Sequence, residues 1–445
     1  MKLFKKTAIS TLYLIFALIG DTSLFAKNTN QILLKAEMVN PYLLEGQSHK
    51  TYLKVGLTGF DLPHVKDRTP VNVSIVLDRS GSMQGQKIVK ARQAATLAVN
   101  QLNQNDIVSI VTYSDTVSVL LPATKVTDKQ LINRLIQNIY ANGSTALFAG
   151  VVKGSSEVRK FLDRNRVNRV ILISDGIANV GPSSPEALGN LGASLGKEGI
   201  SVTTIGLGAG YNEDLMTKLA MYSDGNHAFA ETPQDLARIF DHEFNDILSV
   251  VAQDVTIKIT CDNNIKPIRV LGREAEIAGQ NIILDFNQIY SNQEKYILLE
   301  VDIPEKISRN KRSIASVKLS YDNMLTKRKN NLHTDVSVHF TPSEKKVEST
   351  INRNVAINKV EQIATEQSKK ALQLRDSGKV AEAKALLLKN SQYLQQQAEE
   401  LEAEELQEYS DLNADDAGNL EDQNWQIRRK VMKKKQFEKS TQQSY

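Results

Sequence analysis

One run of residues constrains the fold of this chain more than any other: VNVSIVLDRSGSM, residues 71–83. It predicts a buried strand that ends at Asp78 and is followed by hydroxyls at alternate positions, Ser80 and Ser82. A carboxylate and two hydroxyls on one loop are hard oxygen ligands of the kind that Mg²⁺ prefers. Because the run contains no nucleophile paired with a base, it indicates a metal used for binding rather than for catalysis.

Two later segments offer further oxygen ligands. The loop at residues 141–147 supplies Thr145 as a third hydroxyl, and the apolar run 169–173 leads through Ser174 to a second carboxylate, Asp175. Both aspartates follow predicted buried strands, and the carboxyl ends of parallel strands share the edge of a sheet where ligands bind. We therefore expect the ligands to converge. Taken singly, each residue is also explained as a turn or helix cap, and a site that has lost its metal is the alternative.

Residues 70–251 alternate predicted strands and helices. This order predicts an α/β fold with a doubly wound, mostly parallel sheet, in which residues 117–121 form an antiparallel edge strand. The other predicted strands are 73–77, 106–113, 170–174, 201–205 and 227–230. The predicted helices are 87–102, 129–139, 146–163, 185–195, 214–222 and 235–251.

The ligand pattern within this unit resembles the metal-ion-dependent adhesion site of the von Willebrand factor type A family. The resemblance implies that Asp78, Ser80, Ser82, Thr145 and Asp175 form the site, with the hydroxyls on Mg²⁺ and the aspartates acting directly or through water. Mn²⁺ and Ca²⁺ are alternatives to Mg²⁺. The resemblance also implies that a protein partner fills the open metal position with an Asp or Glu carboxylate.

Strand patterns flank the α/β unit on both sides. Residues 27–69 contain two strand-like runs, and residues 252–343 contain several with apolar residues at every second position. The first piece is too short to bury a sheet alone. We therefore expect one β-sandwich built from both pieces, with the α/β domain of residues 70–251 inserted between them. Cys261, the single cysteine, falls on an apolar strand face, and no intramolecular disulfide is possible.

The composition changes near residue 350. Residues 350–410 predict a helical hairpin that resembles a tetratricopeptide unit, and a coiled coil is the alternative. Residues 411–445 are expected to form an acidic linker and a basic tail. The cations of residues 427–439 suggest weak contact with an anionic surface, but a solvated tail is the favoured interpretation.

The first 26 residues have the pattern of a secretory signal peptide: lysines, an apolar stretch and a small residue at the cut. No later segment is apolar enough to span a membrane. We therefore expect an exported protein, either periplasmic or secreted to the cell surface. The net charge of +4 on 445 residues does not predict a broad nucleic-acid-binding surface.

The sequence contains no sign of an active site. No histidine has a spacing that suggests a catalytic triad or a zinc protease, and no glycine-rich phosphate loop is present. We therefore expect a non-enzymatic, exported, metal-dependent binding or adhesion module. The alternative is a structural scaffold of the cell envelope in which the metal only stabilises the loop.

Overall fold

The computed structural model describes residues 30–62, 68–305, 311–421 and 423–443. The predicted signal peptide, residues 1–26, lies outside these ranges and stays a prediction. Within them, no helix combines the length and the hydropathy that crossing a bilayer requires. The described chain forms an α/β domain, a β-sandwich and a C-terminal group of helices, which confirms the predicted fold class.

The elements follow one another in chain order. The strands are β1 (Leu33–Met38), β2 (Tyr42–Leu44), β3 (His49–Thr58), β4 (Val71–Asp78), β5 (Ile107–Tyr113), β6 (Val117–Lys125), β7 (Val167–Ser174), β8 (Ile200–Leu207), β9 (His227–Ala230), β10 (Val250–Cys261), β11 (Lys266–Leu271), β12 (Glu276–Ala278), β13 (Asn281–Tyr290), β14 (Glu294–Ile303), β15 (Lys311–Asn323) and β16 (Arg328–Thr341). The helices are α1 (Gln86–Gln101), α2 (Lys129–Gln137), α3 (Leu147–Arg159), α4 (Pro185–Lys197), α5 (Glu213–Tyr222), α6 (Asp235–Leu248), α7 (Glu344–Ser349), α8 (Arg353–Asp376), α9 (Val380–Leu401), α10 (Glu404–Gly418) and α11 (Trp425–Thr441).

The α/β domain is built on a six-stranded sheet in the order β6-β5-β4-β7-β8-β9. All neighbouring strands are parallel except β6, which runs antiparallel to β5 at the edge, as predicted. Successive side chains of a strand point to opposite faces. Ile75 therefore packs with α1, α2 and α6, whereas Val76 packs with α3, α4 and α5. Helices on both faces explain why the central strands are buried along their whole length.

The β-sandwich consists of two sheets that share one apolar core. Their strand orders are β1-β3-β14-β11 and β12-β13-β10-β15-β16-β2. The core contains Leu53 and Val55 from the segment before the α/β domain and Ile257 and Val317 from the segment after it. The α/β domain is thus inserted between β3 and β10. Cys261 is buried and free, and burial raises the pKa of its thiol to about 11.

A buried polar network joins the α/β sheet to the sandwich. The guanidinium of Arg169 on β7 donates to Thr203 Oγ1 at 3.0 Å and to the hydroxyl of Tyr290 on β13 at 2.8 Å. Glu243 on α6 lies 3.5 Å from the same guanidinium. A buried charge is tolerated when it is paired and hydrogen-bonded, so this network holds the two domains in one relative position.

The C-terminal region differs from the predicted hairpin. Residues 350–410 lie in three consecutive helices, α8, α9 and the start of α10, because the second helix of the expected hairpin ends at Leu401 and α10 begins at Glu404. The break lies at Glu402, which adopts a left-handed backbone with φ 52°. Glycine usually occupies such a position. Because glutamate stands at this position instead of glycine, no sequence signal marks the break.

Residues 411–445 do not form the expected acidic linker and basic tail. Residues 411–418 continue α10, and residues 425–441 form α11. Ile427 and Val431 of α11 pack against the core of the α/β domain. The basic residues of α11 form ion pairs with acidic residues around them. This helix is therefore packed and paired, and it is not a solvated tail.

Most cations of α11 have an acidic partner within the chain. Arg428 pairs with Asp416 at 2.8 Å, and Lys430 pairs with Glu213 at 2.7 Å. Lys433 pairs with Asp214 at 2.7 Å. These pairs leave little free charge for the contact with an anionic surface that the sequence suggested.

The packing of α11 encloses His227, and this predicts a pH dependence of stability. His227 is buried against Phe437, and burial lowers its pKa from 6.5 to about 3, with a smaller contribution from the charge of Lys434. Between these values the unfolded chain binds a proton that the folded chain does not. The free energy of unfolding therefore falls as the pH is lowered from about 6.5, by about 1.4 kcal/mol per pH unit from this residue.

The variant His227→Gln is expected to lose this pH dependence. Between pH 6.5 and 5 the wild type should lose about 2 kcal/mol more than the variant, as measured by urea unfolding. Asp246 and Asp416, whose pKa values burial raises to about 6, act in the opposite direction but are common to both proteins. Parallel pH profiles for the two proteins would contradict the assignment.

Candidate metal-binding site

The candidate ligands lie at the carboxyl edge of the α/β sheet. Asp78 is the last residue of β4, and Asp175 directly follows β7. These two strands are parallel neighbours, with Leu77 paired to Ile173. Adjacent parallel strands that end at the same level bring their following residues together, so both carboxylates reach one point of the edge. Both are buried.

Hydrogen bonds connect four of the five predicted residues. Asp78 Oδ1 accepts a bond from the backbone N–H of Ser80 at 2.8 Å. The hydroxyls of Ser80 and Ser82 lie 3.0 Å apart, and Ser82 Oγ donates to Asp175 Oδ1 at 2.7 Å. Ser174 Oγ donates to Asp78 Oδ2 at 2.7 Å. The structure therefore brings these residues into one polar cluster.

Thr145, the fifth residue, reaches the cluster beside Gly176. A Cβ atom built on Gly176 would lie 3.1 Å from Thr145 Oγ1 and 3.3 Å from Ser82 Oγ. The absence of a side chain at Gly176 thus leaves room for the two hydroxyls to approach the same space. All five residues predicted from the sequence are therefore near one another in the structure.

Backbone hydrogen bonds hold the Thr145 loop against the first ligand loop. The N–H of Gly81 donates to the carbonyl of Gly143 at 2.8 Å, and the N–H of Asn142 donates to the carbonyl of Arg79 at 2.6 Å. Gly143 has φ 81°, a conformation that favours glycine. The N–H of Ser144 donates to Asp115 Oδ1 at 2.7 Å, and hydrogen bonding at Ser144 lowers the pKa of Asp115. The loops form one connected unit.

Lys87 is part of the cluster, and sequence reasoning missed it. Its Nζ lies 2.5 Å from Asp175 Oδ2, where it neutralises a buried carboxylate. Lys87 is in the first turn of α1, and a cation at that end of a helix is disfavoured by the helix dipole. A lysine in this unfavourable position was the one feature of the sequence that indicated an acidic partner for Lys87 outside α1.

The electrostatics of the site favour a positive charge near its two buried carboxylates. Burial raises the pKa of Asp78, and the neighbouring charge of Asp175 raises it further, although hydrogen bonds from Ser80 and Ser174 oppose both effects. Burial, and after it the charge of Asp78, hold the pKa of the Tyr113 hydroxyl well above its usual value. Two carboxylates packed in this way are stabilised by a nearby cation.

The donor set fits a hard divalent cation. Two carboxylates and three hydroxyls supply only oxygen, which suits Mg²⁺, Mn²⁺ and Ca²⁺ better than zinc. Among the described residues, no group of three or more His, Cys, Asp or Glu is placed to hold a metal, so any site here depends on the hydroxyls. The room beside Gly176 and the buried carboxylates are the observations that support the fit.

Comparison with known families gives one clear match. The model of the von Willebrand factor type A domain matches residues 72–242. This range begins in β4, ends in α6 and includes all five candidate ligands. The match therefore covers the sheet and the cluster at its edge.

Sequence relatives match between about a third and just over half of the chain. "Uncharacterized protein YfbK" of Escherichia coli is 29% identical over 213 residues, which are 47% of this chain and 37% of the relative. "Uncharacterized protein sll0103" of Synechocystis is 23% identical over 265 residues, 57% of this chain and 62% of the relative. Human inter-alpha-trypsin inhibitor heavy chain H3 is 28% identical over 171 residues, 36% of this chain and 19% of the relative. The chain spans less than two thirds of each relative.

Solved structures resemble a larger part of the chain. A von Willebrand factor type A protein from Catenulispora acidiphila aligns with a TM-score of 0.67 at 15% identity, over 86% of this chain and 91% of that one. The ArnB paralog VWA2 from Sulfolobus acidocaldarius aligns with a TM-score of 0.61 at 17% identity, over 92% of this chain and 98% of that one. At these identities the likeness establishes the fold.

Proposed function

The chain belongs to the von Willebrand factor type A family through residues 72–242, and on that premise we propose that it is a metal-dependent protein-binding module. The observation that carries this proposal is the convergence of Asp78, Ser80, Ser82, Thr145 and Asp175 at one edge of the sheet. These residues would hold Mg²⁺. The bound ion would accept a carboxylate oxygen from an Asp or Glu of a protein partner.

The side chains of the protein itself have distinct parts in this proposal. Ser80 and Ser82 present neutral hydroxyls, which leave the charge of the cation only partly compensated and therefore favour an anionic ligand. Ser174 holds the carboxylate of Asp78 in place through its 2.7 Å hydrogen bond. Lys87 neutralises Asp175 and would compete with the metal for this carboxylate.

Binding without catalysis and a location outside the cytoplasm are further parts of the proposal. The cluster contains hydroxyls and carboxylates but no histidine base, which supports binding rather than turnover. Export is supported by the composition of residues 1–26. The amino-terminal sequence of the protein isolated from cells would test it, because cleavage after Ala26 is the expected result.

Metal binding and carboxylate binding are tested together by counting free Mn²⁺ with electron paramagnetic resonance. We expect about one equivalent of Mn²⁺ to bind. Replacing chloride with acetate at equal ionic strength should lower the Mn²⁺ concentration needed for half-saturation, since two ligands that bind better together promote each other equally. Acetate without effect on a saturable Mn²⁺ site would contradict the carboxylate part of the proposal, and no Mn²⁺ binding would contradict all of it.

The second candidate function is a structural scaffold of the cell envelope, in which a metal would only stabilise the loop. The contact between Lys87 and Asp175 favours it, because a lysine already supplies positive charge to the buried carboxylate.

The variant Lys87→Met is expected to bind Mn²⁺ about tenfold more tightly, a difference of about 1.4 kcal/mol. The physical reason is that the metal would no longer compete with the ammonium group for Asp175. The matched control is Lys90→Met, since Lys90 lies on the same helix but bonds to Gln93. An unchanged or higher dissociation constant for Lys87→Met would contradict the competition between Lys87 and the metal for Asp175.

A further inference from the structure

Three exposed apolar side chains lie on the loops that carry the candidate ligands. Tyr140 is 70% exposed, Ile177 is 64% exposed and Val180 is 38% exposed. A single exposed apolar residue is ordinary on a protein surface. These three, however, are on the segments that lead to Thr145 and away from Asp175, and so they are grouped around the metal-binding cluster.

Backbone hydrogen bonds place Ile177 and Val180 close to the site. The N–H groups of Asn179 and Val180 donate to the carbonyl of Thr145 at 3.2 and 3.4 Å, and the N–H of Thr145 donates to Asn179 Oδ1 at 2.8 Å. Ala178, between the two exposed residues, is buried. It anchors the turn, and Ile177 and Val180 are left on its outer side.

Tyr140 lies on the segment that precedes the Thr145 loop. It stands two residues before Asn142, whose N–H donates to the carbonyl of Arg79 in the first ligand loop. The Tyr140 ring is therefore carried by a segment that is fixed to the cluster by a backbone hydrogen bond. We call Tyr140, Ile177 and Val180 the apolar rim.

The charges at this edge of the sheet favour an acidic partner. Arg79 lies between the ligands Asp78 and Ser80, and Lys87 reaches the cluster from α1. Asp115, an acidic side chain of the connected loops, accepts a hydrogen bond from the N–H of Ser144 and offsets part of the charge of Arg79, so the positive charge offered to a partner comes mainly from the bound metal. An apolar rim around a cationic centre complements a ligand that is negative in its middle and apolar at its sides.

Building on the proposed function, we propose that the protein partner presents an Asp or Glu flanked within two positions by aliphatic or aromatic residues. The acidic side chain reaches the metal-binding cluster, and the flanking residues pack on the apolar rim. The rim thus selects among the many acidic segments that a metal alone would accept. Removing water from apolar side chains on both partners gives this selection its strength.

A random dodecapeptide display library tests the proposal. The full protein is immobilised in Mg²⁺, and the bound peptides are released with EDTA. Released peptides should contain an acidic residue with an apolar neighbour within two positions. A released synthetic peptide should also bind at least tenfold more tightly than the same peptide with serine in place of its apolar residues.

The double variant Tyr140→Ser with Ile177→Ser should keep Mg²⁺ binding but lose the tenfold preference. A matched control is Phe161→Ser, because Phe161 is 41% exposed but follows α3 at the end remote from Thr145. Acidic peptides with no apolar enrichment would contradict the rim proposal and leave metal-dependent binding intact. The absence of any peptide released by EDTA would contradict the proposed function and the rim together.

Discussion

Replacing Asp78 by alanine is expected to abolish the stabilisation that Mg²⁺ gives to the protein. At a Mg²⁺ concentration 100 times the dissociation constant, the wild type should gain about 2.7 kcal/mol in its free energy of unfolding, because the metal binds only the folded state. The variant lacks a carboxylate at the centre of the cluster and should gain almost nothing. Thermal unfolding in EDTA and in Mg²⁺ measures both values.

Asp106→Ala is the matched control for this experiment. Asp106 is a second buried aspartate of the same domain, and it pairs with Arg68 at 2.5 Å just before β5, at the opposite edge of the sheet. Its loss should destabilise the fold while leaving the gain from Mg²⁺ intact. Equal gains in Asp78→Ala and in the wild type would show that Mg²⁺ acts elsewhere.

Replacing Glu213 by alanine is expected to detach α11 and to cost about 3–5 kcal/mol, the usual penalty for breaking a buried ion pair. Glu213 begins α5 and accepts hydrogen bonds from both Arg429 and Lys430, the latter at 2.7 Å. The side chains of Glu213 and Lys430 are only 7% and 5% exposed. Without Glu213, the Lys430 ammonium would remain buried without its counter-charge.

Urea unfolding measures this cost, and hydrogen exchange reports on α11 directly. The amides of residues 425–441 should exchange faster in Glu213→Ala. The matched control is Glu382→Ala, which breaks an exposed pair with Lys379 and should cost no more than about 1 kcal/mol. A cost for Glu213→Ala equal to that of the control would contradict the view that α11 is held by buried charge.

The sheet and the gathering of the five candidate residues at its edge could be predicted because most of their signals are local. All eight residues of β4 are buried, and residues 75–77 are an apolar run that ends in the polar residue Asp78, a pattern typical of a strand buried on both faces. The resemblance to the family then identified Thr145 and Asp175, which come later in the chain than Asp78, as further candidate ligands. An apolar run, a spacing of polar residues and the end of a strand can all be identified from the sequence alone.

The missed features depend on contacts between distant residues. The partners of α11 on α5 are more than 200 positions away in the chain, so a cluster of cations looked like a solvated tail. Lys87 was missed for a related reason, since Asp175 is 88 residues away. Charge composition indicates that partners are needed but does not show where they are.

Manganese-soaked crystals test the central claim most directly. Mn²⁺ substitutes for Mg²⁺ and can be located by its anomalous scattering. The account predicts one peak within bonding distance of the hydroxyls of Ser80 and Ser82, with Lys87 moved away from Asp175. A map without a peak in the cluster, with Lys87 Nζ still against Asp175, would contradict a metal-dependent function for this protein.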